Sequence, residues 1–145
     1  MLLCYIARLA GVGLLMLLLV GCAGEAPTSA ANAPASLIGA WSSTDGGQTF
    51  YIIFLENGEF RAGGDFDTLF DNPAVLGRYQ YQDGLLSLTN AHVTDNACRL
   101  TGHYVLVEYQ PGAQATIRLR KSQDACANRL NLFDDALWVQ VATEG

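Results

Sequence analysis

The sequence is poor in charge, and above all in positive charge. Only 15% of its 145 residues are charged, and 8 Lys or Arg stand against 14 Asp or Glu, for a net charge of −6. A protein that holds nucleic acid through the phosphate backbone presents a basic face. We therefore expect no nucleic-acid partner.

Histidine and cysteine, the usual ligands of zinc, are also scarce. The chain has 2 His and 4 Cys, and neither Cys98 nor Cys126 has a second Cys or His at ligand spacing. Gly63 and Gly64 are followed by acidic residues, the wrong sign for a loop that cradles phosphate. We expect no metal and no cofactor.

A catalytic motif is missing as well. A hydrolase that uses His92 or His103 would need a nucleophile beside one of them, and no local motif marks Ser87 or Ser122 as that residue. We expect no catalytic residues, and we interpret the protein as a non-enzyme.

The one long apolar run lies near the N-terminus. Residues 9–21 carry no charge and follow Arg8. As a helix they would span roughly 20 Å, against roughly 30 Å for a hydrocarbon core. The run is short for a membrane span and fits the apolar core of a secretory signal.

The end of that run resembles the bacterial lipobox. Leu19-Val20-Gly21-Cys22 places a small residue directly before a cysteine. The resemblance implies that Cys22 receives lipid and becomes the first residue of the mature chain. Ala23 in the next position permits the outer membrane, although inner and outer membrane stay open. An ordinary secretory signal and an uncut N-terminal anchor are the alternatives.

These features divide the chain into three parts. Residues 1–21 are predicted to be a lipoprotein signal peptide. Residues 22–36, small, polar and dotted with proline, are predicted to be a flexible tether. Residues 37–145 form the folded domain. Loss of Arg8 with the signal would lower the net charge to −7. The expected location is the cell envelope, lipid-anchored to the membrane and facing outside the cytoplasm.

Two cysteines remain for the folded domain. In an exported protein Cys98 and Cys126 most simply form a disulfide. The alternative is a pair of buried free thiols.

Short apolar or alternating runs, separated by turn signals, fill the domain. The pairs Asn57-Gly58 and Asp83-Gly84 are typical of tight hairpins. No long helical period appears, although residues 125–135 have room for a short helix or irregular turn, capped by Asp124 or Asn128. The pattern predicts an all-β fold, an eight-stranded antiparallel up-and-down β-barrel, with a sandwich as the alternative. The predicted strands are residues 37–42, 50–55, 60–62, 76–82, 85–89, 104–109, 116–120 and 137–141.

The start of the first strand resembles that of lipocalins and related calycins. Gly39-x-Trp41 matches their Gly-x-Trp motif. The resemblance implies that Trp41 closes one end of the barrel and that a late Arg packs over its ring. Arg118, Arg120 and Arg129 are the candidates, and we choose Arg129.

The whole domain is similar to bacterial lipocalin-like lipoproteins. The chain is shorter than classical lipocalins and lacks their long C-terminal helix, which counts against a large enclosed cavity. The shared pattern is Gly77-x-Tyr79, Gly84-x-Leu86, a cysteine before Gly102-x-Tyr104, and Asp124-x-Cys126-x-x-Arg129.

Aromatic side chains supply the candidate ligand-binding residues. Aromatics in a small barrel also serve as plain core, and that alternative stays open. Phe66 and Phe70 belong to an acidic loop whose Asp65, Asp67 and Asp71 match no calcium-binding spacing, so we expect a solvated loop. The two Phe side chains are candidates for a flap over the barrel mouth, where barrels place ligand sites, with packing against the barrel end as core as the alternative. The candidates are Tyr51, Phe66, Phe70, Tyr79, Tyr81 and Tyr104.

The sequence thus predicts a lipid-anchored, non-catalytic barrel that binds a small apolar ligand or a partner. The alternative is a barrel-type inhibitor of an extracellular protease or lysozyme. A ligand binder needs a hollow centre, whereas a barrel packed with side chains favours the inhibitor.

Overall fold

The computed structural model describes residues 33–142. Residues 1–32 and 143–145 lie outside the described part of the chain. The predicted signal peptide, Cys22 and most of the predicted tether therefore fall outside it.

Eight antiparallel strands close into one barrel, in the order of the sequence. Each strand pairs with the next, and β8 completes the ring by pairing with β1 through Trp41 opposite Gln140 and Ser42 opposite Val139. The predicted up-and-down barrel is confirmed, and the sandwich is set aside. The strands are β1 (Gly39–Asp45), β2 (Gln48–Phe54), β3 (Glu59–Gly63), β4 (Val75–Gln82), β5 (Leu85–Asn90), β6 (Gly102–Gln110), β7 (Thr116–Gln123) and β8 (Leu137–Gln140).

Two of the hairpins have two-residue turns in which both residues adopt left-handed backbone. In the first, Gly46 and Gly47 have φ of 56° and 82° between the paired Asp45 and Gln48. In the second, Asp83 and Gly84 have φ of 52° and 79°. Glycine and aspartate tolerate such angles, and the resulting two-residue turn matches the twist of the strands. The first hairpin extends β1 beyond its predicted end, to Asp45.

Two short helices lie at the same end of the barrel. Helix α1 (Asn96–Arg99) precedes β6 and has no counterpart in the sequence prediction. Helix α2 (Ala127–Phe133) precedes β8 and decides for the helix over the irregular turn within residues 125–135. The predicted caps of α2 are wrong, because its N-cap is Cys126. Asp124 instead accepts the backbone N–H of Cys126 at 2.8 Å while it binds a buried arginine.

The antiparallel order gathers the loops at two ends. We name the helical end as the one that carries the β1–β2 turn, residues 64–74, residues 91–101 and residues 124–136. The opposite end carries the shorter connections of residues 55–58, 83–84 and 111–115. No helix within residues 33–142 is long and apolar enough to cross a membrane.

Candidate functional site

The centre of the barrel is filled by its own side chains. Phe133 of α2 enters from the helical end, stacks on Trp138 with ring centroids 5.2 Å apart, and lies 5.5 Å from Tyr104. A cavity of about 30 Å³ lies between Phe60, Val75, Arg129, Phe133 and their neighbours. That is room for about one water molecule. The largest fully buried side chains are Trp138, Tyr104, Phe54, Phe60, Leu37, Ile52, Leu69, Leu86, Leu88, Leu106, Ile117 and Leu119.

Three of the six candidate ligand-binding residues pack with this core. Tyr79 packs edge-on against Phe54, with ring centroids 4.7 Å apart, and donates its hydroxyl to the carbonyl of Leu55 at 2.9 Å. Tyr81 packs against the same core, and its buried hydroxyl has no partner within residues 33–142. Burial raises the pKa of both hydroxyls above the ordinary tyrosine value. Tyr104, the third, is fully buried.

The other three candidates lie on the outer wall of the barrel. The ring of Tyr51 lies 5.6 Å from that of Phe66, beside a separate cluster that Ala40 and Ile53 form with a loop leucine. Phe70 is 54% exposed. Tyr51 therefore does not face the interior that it was expected to line. Phe66 and Phe70, expected to form a flap over the barrel mouth or to pack against the barrel end, lie instead beside the outer cluster and Arg61.

A buried ion pair organises the helical end. Arg129 of α2 is only 3% exposed. Its Nε and Nη2 donate to the two carboxylate oxygens of Asp124 at 2.7 and 2.8 Å. Its Nη1 and Nη2 also donate to the carbonyls of Cys98 and Leu100 at 3.0 and 2.7 Å. This bidentate, fully bonded geometry is what a buried guanidinium needs. We name the group of Asp124, Arg129 and Tyr104 the Arg129 clasp.

Tyr104 completes the clasp from inside the barrel. Its hydroxyl donates to Oδ2 of Asp124 at 2.5 Å. Burial raises the pKa of Tyr104 far above its ordinary value, and the hydrogen bond to Asp124 adds to the rise. Burial alone would raise the pKa of Asp124, but the hydrogen bonds from Arg129 and Tyr104 hold it below its ordinary value. The clasp therefore keeps a neutral tyrosine beside a charged carboxylate.

Trp41 lies in the core, but Arg129 is not its partner. The indole is 2% exposed, and its Nε1 donates to the carbonyl of Leu37 at 2.8 Å. Within residues 33–142 the one cation–ring contact is that of Arg61 over Phe70. The expected stacking of Arg129 on Trp41 is wrong because the guanidinium is committed to Asp124 and to backbone carbonyls.

The predicted disulfide is confirmed. Cys98 of α1 is bonded to Cys126, the residue that precedes α2. The bond joins the two helical segments beside the clasp, since Arg129 also binds the carbonyl of Cys98. Disulfide and ion pair together fasten α2 to the barrel.

A serine and a histidine meet on the outer wall. Oγ of Ser87 lies 2.9 Å from Nδ1 of His103, across the pairing of β5 with β6. On the neighbouring strands, Gln80 of β4 pairs with Ser87 and Gln123 of β7 pairs with His103, so the four residues form one row across the sheet. A nucleophile–base pair is oriented by a third group, commonly a carboxylate, and in this row both flanking residues are neutral amides. The contact is a cross-strand hydrogen bond of the wall.

Two further observations concern the surface of the described residues. An open groove of about 520 Å³ at the helical end lies between β1–β2 and the segment around α2. Within residues 33–142 no three His, Cys, Asp or Glu side chains come close enough together to hold a metal ion. The groove is lined by Ser43, Asp45, Phe50, Asn128, Asn131, Leu132, Asp134, Asp135 and Ala136.

Comparison with known proteins returned no match among family models, curated proteins or solved structures. The likeness to lipocalin-like lipoproteins thus rests on the motifs in the sequence, and the barrel rests on the structure.

Sequence reasoning missed two parts of this picture. The pairing of Ser87 with His103 depends on strand register, which residue spacing does not reveal. The pattern Asp124-x-Cys126-x-x-Arg129 contains both charged residues of the clasp. The resemblance to lipocalins instead assigns Arg129 to Trp41, so the sequence does not predict the ion pair. The spacing of Asp124 and Arg129 across a helix start was the available signal.

Proposed function

We propose that this chain is a lipid-anchored, extracytoplasmic and non-catalytic binding protein that engages a protein partner through its outer surface. The observation that carries the proposal is the filled barrel. Trp138, Tyr104 and Phe133 occupy the space in which a lipocalin-type ligand would lie. Binding then has to use the wall, the loops or the ends of the barrel.

The proposed location adds to this argument. A chain anchored through acylated Cys22 and a tether over residues 22–36 stays at the membrane surface while its domain samples the space around it. Tethering raises the effective concentration of any partner in the same envelope. A weak surface contact is then sufficient for binding.

Inhibition of an extracellular enzyme is the second candidate function. A packed barrel favours it, because an inhibitor presents a rigid surface element and needs no cavity. The disulfide between Cys98 and Cys126 and the buried Arg129 provide such rigidity at the helical end. Pre-organised surfaces lose little entropy on binding.

The test is chemical cross-linking of the full chain in its native envelope. We expect a discrete heteromeric product that contains this chain and one protein partner, and that disappears when the envelope is denatured before cross-linking. A chain that stays monomeric under these conditions would contradict the proposal.

A further inference from the structure

The loop of residues 64–74, which connects β3 to β4, combines a buried underside with an exposed aromatic residue. Leu69 is fully buried in the cluster with Ala40 and Ile53 on the outer wall. The next residue, Phe70, is 54% exposed. Leu69 therefore packs the loop against the outer wall, whereas the side chain of Phe70 stays exposed to solvent.

Phe70 is held in place although it is exposed. The guanidinium carbon of Arg61 lies 5.8 Å from the centre of its ring, and Nη1 of Arg61 donates to its backbone carbonyl. Arg61 is itself fixed by Glu59, at 2.8 Å. A cation over a ring face restrains the ring on one side and leaves the other side open.

The backbone of the loop is restrained as well. Oδ1 of Asp65 accepts the N–H of Asp67 at 3.1 Å, and the carbonyl of Thr68 accepts the N–H of Asn72 at 2.8 Å. An ordered loop pays little entropy when it is bound. Solvent-exposed aromatic residues on ordered elements are typical anchors of protein interfaces.

The charged residues of the loop itself are all acidic, and the nearby Arg61 is paired with Glu59. Asp65, Asp67 and Asp71 are all exposed and lie within seven residues. The loop itself contains no Lys or Arg. Such a rim attracts a basic surface and raises the rate of encounter with it.

We propose that residues 64–74 are the docking loop for a basic protein partner, with Phe70 inserted into an apolar pocket whose edge carries Lys or Arg that face Asp67 and Asp71. This inference rests on the proposed function and adds the site and the chemistry of the partner. The rim of carboxylates decides against the other occupants. It would be repelled by an anionic lipid surface. A second copy of this chain is acidic too, with a net charge of −6 over the full sequence.

The experiment places a photo-reactive p-benzoyl-phenylalanine at one position of the full chain, which is then irradiated in its native envelope. Phe70 is the test position. Leu85 on β5 is the matched control, because it is 41% exposed and lies on the opposite side of the barrel from β1, against which the loop packs through Leu69. Asn72, exposed in the same loop, is a second test position if the chain substituted at position 70 does not accumulate.

We expect a protein adduct from position 70 and none from position 85. Asp67→Asn together with Asp71→Asn should lower the yield of that adduct about three- to tenfold, since two exposed ion pairs are lost. Asp65 is left intact because it restrains the loop. Asp45→Asn with Asp83→Asn removes the same charge from exposed positions elsewhere and should leave the yield unchanged.

The outcomes separate this inference from the proposed function. A protein adduct from position 85 with none from the loop would overturn the docking loop and leave a protein-binding function standing. No protein adduct from either position, together with no product from chemical cross-linking, would overturn both. A phospholipid adduct, a dimer of this chain, or an adduct unaffected by the loss of Asp67 and Asp71 would each overturn the docking loop.

Discussion

At the residue scale, Arg129 has the most consequential environment. Its charge is buried, balanced by the carboxylate of Asp124, and hydrogen-bonded to the carbonyls of Cys98 and Leu100. Removing one side of such a pair strands the other in a medium of low dielectric constant. The sequence analysis predicts a role for Arg129, but with Trp41 as its partner. In the structure its partner is Asp124.

Arg129→Ala should therefore lower the free energy of unfolding by about 3–5 kcal/mol. The control is Arg120→Ala, whose ion pair with Asp135 spans 3.6 Å at the surface with both side chains mostly exposed. Exposed pairs contribute less than about 1 kcal/mol. Denaturant titration of both variants measures the contrast, and equal losses would contradict the buried clasp.

Asp124 also gives the clasp a pH dependence. The pKa of Asp124 is lower in the folded protein than its ordinary value, so its charged form stabilises the fold. This contribution is present above the unfolded-state pKa of about 4 and is lost as the pH falls through the lower folded-state pKa. The Asp124→Asn variant should be less stable than the unaltered protein at neutral pH. As the pH falls, its free energy of unfolding should decrease less than that of the unaltered protein. Parallel acid unfolding curves of the two proteins would show that Asp124 plays no such role.

Trp41→Ala tests the core at its first strand. Loss of a large buried ring typically costs about 3–5 kcal/mol, and here the bond from Nε1 to the carbonyl of Leu37 is lost as well. A Trp138→Phe background leaves Trp41 as the sole tryptophan. Its fluorescence should be blue-shifted and poorly quenched by acrylamide. A red-shifted, readily quenched spectrum would place the ring at the surface.

At the scale of elements, the strands and the disulfide were predictable, whereas helix α1 and the contacts of Arg129 at the helical end were not. Alternating side chains predict the strands, and the turn signals Asn57-Gly58 and Asp83-Gly84 lie in the connections of the β2–β3 and β4–β5 hairpins. Helix α1 is four residues long and is placed by its disulfide and by Arg129, which are long-range contacts. The outer wall was misjudged because Tyr51 and Phe66 meet only when residues 64–74 fold back on β2.

Gly77 on β4 lies where the ring of Phe60 and the backbone of β5 approach most closely. A Cβ on Gly77 would lie only 2.4 Å from the ring of Phe60 and from the carbonyl of Thr89. Gly77→Ala should destabilise the fold by about 1–3 kcal/mol through overpacking. Gly112→Ala is the control, because a Cβ there meets no atom within 4 Å. Thermal unfolding of the two variants measures the difference, and a tolerated Gly77→Ala would show that the Phe60 ring and the backbone of β5 at Thr89 can shift to make room.

The disulfide should be intact in protein taken from the native envelope. Its loop closes over a sequence separation of 28 residues. Replacing both Cys98 and Cys126 by Ala should cost roughly 3–4 kcal/mol by the chain-entropy argument. Non-reducing peptide mapping tests the bond, and two thiols that alkylate without reductant would refute it.

At the scale of the whole molecule, a filled barrel follows a proposed lipid anchor at Cys22. Cys22→Ala should abolish lipidation and move the protein out of the membrane fraction, since lipid is the proposed attachment. Labelled fatty acid and fractionation measure both effects. Failure of the unaltered chain to incorporate labelled fatty acid would remove the lipobox from the account.

The central claim is that the barrel binds from its outside because its centre is full. Native mass spectrometry of the delipidated domain, purified from its host, tests this most directly. We predict the mass of the polypeptide with one disulfide and no retained small molecule, in keeping with an interior cavity of about 30 Å³. A small molecule bound at one per chain, and released when the protein is denatured, would contradict the claim.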